Sequence, residues 1–214
     1  MSGTIVIHAA LAGALPPAWQ PRLLEALPYA RRLALGRRDT NARRDSLAAL
    51  ALALMSIERL TGRAPAPGEL SFPADGGKPV LPGGPRFSWS HCATRVACIA
   101  SLHADPGLDL ETLPAVAPAH VLQRLWDWTA TEAVLKAAGL GLREAPRVSL
   151  APGLGTGAVG DVKYFLHPLE LPGCVGHIAA RVPLVPGPAV EFDLAGEVVS
   201  AALERSLCLA PQFQ

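Results

Sequence analysis

The sequence contains few aromatic and few charged residues. Only 5% of its 214 residues are aromatic and 17% are charged, whereas 50% are apolar. Nineteen basic residues nearly balance eighteen acidic ones, which leaves a net charge of +1. A general nucleic-acid-binding surface needs a large basic excess, so this balance argues against a nucleic-acid partner. The high apolar content excludes a chain that is disordered throughout.

Long apolar runs are also absent. The longest, SLAALALALMSI at residues 46–57, is shorter than the ~20 residues that span a bilayer, so we expect a buried helix and no membrane partner. The apolar run at residues 4–15 lacks the preceding Lys or Arg of a signal peptide. We interpret its first part as a β-strand and expect the protein to be cytoplasmic.

The four cysteines lack the spacing of a metal or redox motif. They form neither a CxxC pair nor a zinc-ribbon pattern, and they lie at Cys92, Cys98, Cys174 and Cys208. A chain of this length can build a core without disulfides or structural metals. The pattern therefore predicts ordinary core thiols in a reducing compartment.

Twenty-one prolines and twenty glycines divide the chain into short elements. We expect strands at residues 4–10, 69–72, 86–90, 95–103, 108–111, 162–166 and 175–182. We expect helices at residues 28–60, 120–138 and 197–208, and a turn at residues 15–21. Because helices and strands alternate in each half, the predicted class is mixed α/β or α+β. Two lobes are expected, residues 1–105 and 106–214.

Two carboxylates stand two positions apart in the expected strand at residues 108–111. Residues i and i+2 of a strand share a face, so Asp109 and Glu111 point the same way while Leu108 and Leu110 face the core. Adjacent carboxylates repel each other, and a hard divalent cation such as Mg²⁺ relieves that repulsion. A strand that simply exposes its acids to water fits the same pattern, so the spacing alone leaves both interpretations open.

The clearest predicted helix carries Glu132 and Lys136 four positions apart. Such a pair is common on helix surfaces, where it contributes a few tenths of a kcal/mol. The composition adds a second consideration, because the chain has sixteen arginines and only three lysines. Two of those lysines are Lys136 and Lys78, and a compact ammonium binds phosphate differently from an arginine fork.

Ser90 and His91 end another expected strand. They do not form a hydrolase dyad, because neighbours on a strand point to opposite faces and no G-x-S-x-G elbow accompanies them. Both side chains can donate to a phosphate at the end of the strand. The other histidines show no ligand spacing and are predicted to be structural.

Basic residues cluster as three doublets before the apolar helix, at Arg31, Arg32, Arg37, Arg38, Arg43 and Arg44. A run of this kind usually forms a solvated helix face. In an otherwise neutral protein it also suits a local anion site. The doublets recur every six residues, so one helix cannot present all six side chains on one face.

In chain order, these features resemble the 4'-phosphopantetheinyl transferases. The closest type is the larger, pseudo-dimeric one, similar to the surfactin-synthetase activating enzyme. Its pattern has G-K-P, F-N/S-x-S-H-S, G-I/V-D-I/V-E and W-x-x-K-E-A/S-x-x-K-x-x-G-x-G-L. The corresponding segments here are GKP at residues 77–79, FSWSHC at 87–92, GLDLE at 107–111 and LWDWTATEAVLKAAGLGL at 125–142. The resemblance rests on this ordered set rather than on any one motif.

The resemblance implies a fold and a reaction. The fold would be a monomeric pseudo-dimer of two related lobes, with coenzyme A and Mg²⁺ in the cleft between them. The reaction would transfer the phosphopantetheine arm of coenzyme A to a serine of an apo acyl or peptidyl carrier protein, releasing adenosine 3',5'-bisphosphate.

The resemblance also implies roles for individual residues. By motif, Asp109, Glu111 and Glu132 match the Mg²⁺ ligands, and Glu132 is also the candidate general base. Lys136 would neutralise charge on the pyrophosphate. Contacts to coenzyme A phosphates are implied for Lys78, Ser90, His91, Arg31 and Arg32.

The sequence departs from the family pattern in one long segment and two single positions. Only twenty-one positions separate Glu111 from Glu132, whereas typical larger members carry a longer connector that helps receive the carrier protein. Thr131 precedes Glu132 where many relatives have Lys, and Cys92 replaces a Ser. A non-catalytic relative that binds coenzyme A or a carrier protein is therefore an alternative, as is an unrelated metal-dependent phosphohydrolase.

Overall fold

The computed structural model describes residues 5–73 and 77–208, in which two β-sheets are each packed against a long helix. The helices are α1 (Trp19–Glu25), α2 (Tyr29–Gly36), α3 (Thr40–Thr61), α4 (Ala119–Ala138) and α5 (Glu197–Cys208). The strands are β1 (Ile5–Leu11), β2 (Arg86–His91), β3 (Arg95–Ser101), β4 (Gly107–Thr112), β5 (Val148–Leu150), β6 (Thr156–Val159), β7 (Val162–Leu171), β8 (Cys174–Ala180) and β9 (Val190–Glu191). The predicted mixed class is confirmed.

The two sheets share one order of elements. The first sheet has the order β2-β3-β1-β9 and the second the order β4-β8-β7-β6-β5. In the first, β1 is followed by α3 and the β2–β3 hairpin, and β3 pairs antiparallel with β1. In the second, β4 is followed by α4 and later by the β7–β8 hairpin, and β8 pairs antiparallel with β4.

Alternation along the strands produces three apolar clusters. One lies between α3 and the first sheet, one between the two sheets, and one between α4 and the second sheet. The middle cluster includes Ile7, Ala9, Ala97, Ile99, Leu108, Leu110 and Ile178. The two leucines of β4 therefore face the core as predicted, and the alternate residues of β4 face α4.

Three predicted elements differ in the structure. The predicted helix at residues 28–60 is wrong as one element, because Asp39 interrupts it: its side chain accepts a hydrogen bond from the Ala42 amide at 2.9 Å and caps a new helix, α3. The predicted turn at residues 15–21 contains the start of α1, which its flanking prolines concealed. The predicted strand at residues 69–72 is only a bridge between Ser71 and Val80.

Helix α3 is the buried helix that the apolar run predicts. Its residues 45–57 are all buried, and Gly62 ends it in the left-handed region at φ +71°. Among the described residues, no helix combines the length and the apolarity needed to cross a membrane.

The end of the described chain returns to the first sheet. Strand β9 pairs parallel with β1, and α5 lies against α3. Arg205 of α5 forms an ion pair with Glu58 of α3, and Glu204 pairs with Arg22 of α1. Residues 190–208 thus belong by sequence to the second predicted lobe but contact elements of the first.

Histidine 8 on β1 is buried, and its Nδ1 lies 3.0 Å from the Ser56 hydroxyl. Burial lowers the pKa of His8 to about 4, and the charge of Arg59 acts in the same direction. Between pH 6.5 and 4 the unfolded chain therefore binds the extra proton, and the free energy of unfolding falls as the pH falls. Above pH 6.5 this contribution is fully present.

We expect His8 to account for about 2–3 kcal/mol of the stability lost between pH 7.5 and pH 4. The measurement is urea unfolding of the wild type and His8→Gln at both pH values. The variant should lose less stability on acidification, whereas the exposed pair His103→Gln/His120→Gln should behave as wild type. Equal losses in the wild type and His8→Gln would contradict the assignment.

Candidate active site

The site lies where an edge strand of one sheet meets an edge strand of the other. The Leu108 amide of β4 donates to the Ser88 hydroxyl of β2 at 3.1 Å. Two residues further along β2 and one further along β4, the Ser90 hydroxyl donates to Asp109 Oδ1 at 2.9 Å. These bonds join β2 to β4 and bury Asp109, which is only 3% exposed. The alternative of a solvent-exposed acidic strand face is thereby excluded at Asp109.

Helix α4 lies close enough to β4 to bring a third carboxylate to the same place. A side chain at Gly107 would put its Cβ 1.9 Å from the Ala133 carbonyl oxygen, so only glycine permits this approach. Carboxylate oxygens of Asp109, Glu111 and Glu132 all lie within 4.8 Å of one another. The three acids named from sequence thus converge from one strand and one helix.

Lys136 is the cation that lies among these acids. Its Nζ donates to Asp109 Oδ1 at 2.5 Å and to the Ser90 hydroxyl at 3.3 Å, and it lies 3.8 Å from Glu132 Oε2. The Glu132–Lys136 pair of α4 therefore lies in the site and is not an ordinary ion pair on the exposed helix surface. One ammonium faces three carboxylates, so negative charge is in excess there.

Burial and the excess negative charge raise the pKa values of Glu132 and Glu111. Burial raises the pKa of Glu132 to about 7, the negative charge of Asp109 acts in the same direction, and Lys136 opposes both. Burial also raises the pKa of Glu111, again with a contribution from Asp109. The Trp128 side chain acts in the opposite direction on the pKa of both Glu111 and Glu132 and partly offsets these shifts.

The donor set fits a divalent metal ion. Asp109 Oδ2 is buried and has no hydrogen-bond partner among the described residues, so one of its lone pairs is left for a ligand. Three carboxylates within a few ångströms are the oxygen ligands that Mg²⁺ and other hard cations prefer. Asp109, Glu111 and Glu132 are the residues that would hold the ion.

Replacing Glu111 with Gln should weaken Mg²⁺ binding by about 10-fold or more, because the amide is a neutral ligand in place of a charged one. Isothermal titration calorimetry with Mg²⁺ measures this directly and needs no substrate. Glu170→Gln, an exposed change on β7, is the matched control and should bind as wild type. Equal affinities for Glu111→Gln and wild type would remove Glu111 from the ligand set.

A cleft of about 1120 Å³ opens beside the acids. Its lining combines the acids with a basic rim made of Arg31, Arg38, Lys78, Lys136 and Arg143. Burial lowers the pKa of Arg31, and the nearby charge of Arg38 adds to this effect. Two guanidiniums that repel each other beside a cleft favour an anion between or near them.

The predicted phosphate-binding residues are mostly in this cleft. Ser90, His91, Lys78 and Arg31 line it. The ammonium of Lys78 is held at the start of β4 by the Asp105 carboxylate and, at 3.0 Å, by the Pro106 carbonyl. Arg32 is not among the residues that line the cleft, and its guanidinium lies 5.8 Å from the centre of the Tyr29 ring.

Other residues of the site were not singled out from sequence. Ser88 follows from the period of β2, since it shares a face with Ser90, but its bond to β4 has no signal in the sequence. Arg38 lay in the arginine cluster without being distinguished from its neighbours, and its side chain donates to Ser46 at 3.0 Å. Arg143 follows α4 in a short 3₁₀ helix, Leu142–Arg147, that carries no recognisable pattern.

No known protein-family model matches the chain. A search of curated proteins finds no significant match either. The family resemblance therefore stays a prediction that rests on the ordered motifs, and the site is interpreted from its own chemistry.

Proposed function

We propose that the protein is a divalent-cation-dependent 4'-phosphopantetheinyl transferase. It would move the phosphopantetheine arm of coenzyme A to a serine of an acyl or peptidyl carrier protein. The observation that carries the proposal is the convergence of Asp109, Glu111, Glu132 and Lys136 at one end of a large cleft with a basic rim. These residues occupy the matching positions of the family motifs, which adds support independent of the geometry.

The proposed reaction is a displacement at phosphorus. The serine oxygen of the carrier would attack the phosphorus that bears the pantetheine arm, and the bond from that phosphorus to the bridging oxygen would break. Adenosine 3',5'-bisphosphate leaves with the electron pair of that bond. The serine proton would pass to the Glu132 carboxylate, which lies beside Asp109 and Glu111 at the end of the cleft.

Charge neutralisation is the main requirement of such a transfer. A Mg²⁺ ion held by the three acids would polarise the phosphoryl oxygens and improve the leaving group. Lys136 is placed to add positive charge beside the acids, with its Nζ already inside the site. Ser90 orients Asp109 through its hydroxyl, which fixes one carboxylate before any ligand arrives.

The cleft suits a ligand of the size and charge of coenzyme A. Its volume of about 1120 Å³ exceeds the ~300–1,000 Å³ typical of small-molecule pockets. Arg31, Arg38 and Lys78 supply positive charge along the lining, where the phosphates would bind. His91, also in the lining, offers a further donor.

We also propose that the fold is a monomeric pseudo-dimer. Support comes from the shared order of strand, helix and hairpin in the two sheets, with the same antiparallel pairing in each. The apolar cluster between the sheets would correspond to the interface of the two related lobes. The metal ligands belong to the second lobe and Ser90 to the first, so the site needs both.

The test is the intact mass of several apo carrier proteins after incubation with the protein, coenzyme A and Mg²⁺. The expected result is a gain of one phosphopantetheine arm on at least one carrier, and Glu132→Gln should slow this gain by about 10²-fold or more. Glu58→Gln, which removes an ion pair between α3 and α5, is the matched control and should keep the wild-type rate.

The other outcomes identify the alternatives. If no carrier gains mass although coenzyme A binds, the protein is a binding-only relative. Loss of the arm from coenzyme A with no carrier present would instead identify a phosphohydrolase. The six-residue connector between β4 and α4 makes a broad panel of carriers necessary, because typical relatives carry a longer segment there.

A further inference from the structure

Two of the four cysteines meet at a junction between the two sheets. Cys92 lies in the turn between β2 and β3, and Cys174 begins β8. The two turns are tied together by the Ala93 amide, which donates to the Thr112 hydroxyl at 2.9 Å, and by the Thr94 hydroxyl, which donates to the Gly173 carbonyl at 3.2 Å. Thr112 is in turn the register partner of Cys174.

The two cysteine side chains adjoin the same apolar cluster at this junction. Cys174 is a buried member of the cluster between the sheets, and Cys92 packs against that cluster from its half-exposed position. The Cys174 thiol donates to the Leu171 carbonyl at 3.7 Å, and the Thr94 hydroxyl, which donates to the Gly173 carbonyl, lies 3.4 Å from the Cys92 sulfur. The neighbouring Cys174 side chain holds the pKa of Cys92 well below its usual range, and Cys92 together with burial raises the pKa of Cys174.

We propose that Cys92 and Cys174 form a dithiol site that low-molecular-weight disulfides oxidise to an internal disulfide. Cys92 is the attacking sulfur because it is the more exposed of the two and can meet an oxidant from solvent. Cys174 is the resolving sulfur because it is shielded from solvent and follows Gly173, which is hydrogen-bonded to the turn that carries Cys92. This inference does not depend on the proposed transferase activity.

The chemistry is two thiol–disulfide exchanges. The Cys92 thiolate attacks one sulfur of a disulfide such as oxidised glutathione, forms a mixed disulfide and releases one glutathione thiolate. The Cys174 thiol then loses its proton to solvent and attacks Cys92 Sγ, which releases the second glutathione. The protein loses two electrons and two protons, and the oxidant gains them as two thiols.

A disulfide between Cys92 and Cys174 would have a structural consequence for the cleft. Cys92 directly follows Ser90 and His91 in the chain, and Cys174 is on the strand that pairs with β4. A covalent link would therefore fasten the end of β2 to the sheet that carries Asp109 and Glu111. Oxidation should raise the melting temperature, since it closes a loop of about eighty residues.

The experiment is intact mass spectrometry of the full chain after incubation with oxidised glutathione, under non-reducing conditions. We expect the wild type to lose two hydrogen masses and to yield one linked pair of tryptic peptides, residues 87–95 and 164–181. Cys208→Ser, a change at the exposed end of α5, is the matched control and should do the same.

The two site variants separate the steps. Cys174→Ala should stop at the mixed disulfide and carry one glutathione on Cys92, whereas Cys92→Ser should lose the two-hydrogen change completely. Their circular dichroism and melting curves show whether each is folded, and the linked peptides of the wild type test the proposal without either variant. Three results for the wild type would overturn the assignment. They are a mixed disulfide with glutathione that persists, a protein that stays fully reduced, and a disulfide between any other pair of cysteines.

Discussion

Replacing Asp109 with Asn is expected to lower the rate of the proposed phosphopantetheine transfer by about 10³-fold. Asp109 Oδ1 accepts from Ser90 and Lys136, and Oδ2 is the buried oxygen without a partner. The amide would remove the negative charge from the centre of the ligand set and could turn an NH₂ group toward the Lys136 ammonium. A bound metal contributes several kcal/mol to a phosphoryl-transfer transition state, and each 1.36 kcal/mol is a factor of ten in rate.

Initial rates of carrier modification, followed by intact mass, measure this effect. Asp161→Asn is the matched control, because Asp161 is exposed in the turn between β6 and β7. Mg²⁺ titration of both variants by calorimetry shows whether a reduced transfer rate results from weaker Mg²⁺ binding or from a slower reaction step. An Asp109→Asn protein that is folded and transfers at half the wild-type rate would rule out Asp109 as a ligand.

Replacing Gly107 with Ala should have the largest effect on stability. The added Cβ would lie 1.9 Å from the Ala133 carbonyl oxygen and 2.4 Å from the Ala137 amide nitrogen. Both atoms belong to the backbone of α4, so the whole helix must move rather than a flexible side chain. Overpacking of this kind typically costs 1–3 kcal/mol and sometimes more, so we expect a loss of about 3 kcal/mol.

Thermal unfolding by calorimetry or circular dichroism checks the value. For a chain of this length, about 3 kcal/mol corresponds to a fall of roughly 6–12 °C in melting temperature. Gly36→Ala at the end of α2 is the control, because its Cβ would meet nothing within 4 Å and alanine suits a helix. If Gly107→Ala melts within a degree of wild type, β4 and α4 do not depend on this close approach.

Gly107→Ala should also impair the proposed metal site, although it alters none of the proposed ligands. Glu132 and Lys136 are carried by α4, whereas Asp109 and Glu111 are carried by β4. A helix displaced from the strand moves two of these four groups away from the other two. Mg²⁺ affinity should therefore fall together with stability, and the folded fraction must be measured so that the two effects are separated.

The elements that carry the site could be predicted from the sequence because they depend on local pattern. The alternation around Asp109 placed the two acids on one face of a strand, and the 3.6-residue period placed Glu132 and Lys136 on one face of a helix. The glycine after α4 ended that helix as expected, with Gly139 at φ +70°. These features need only neighbours within a few positions, so the residues themselves determine them.

The tertiary structure alone decided which of these faces meet. The approach of α4 to β4 depends on Gly107 against the backbone of Ala133 and Ala137, and the joint between the sheets depends on Ser88 and Ser90. None of these small residues has a local pattern that predicts its partner.

The same limit explains the arginines and the cysteines. Arg31 lines the cleft while its neighbour Arg32 packs on Tyr29, because successive helix residues point about 100° apart. Cys92 and Cys174 are 82 positions apart and show no motif, yet two turns of different sheets bring them together. Contacts between distant segments depend on which surfaces of the helices and strands pack together. The local sequence pattern predicts each surface, but it does not predict which other surface it will contact.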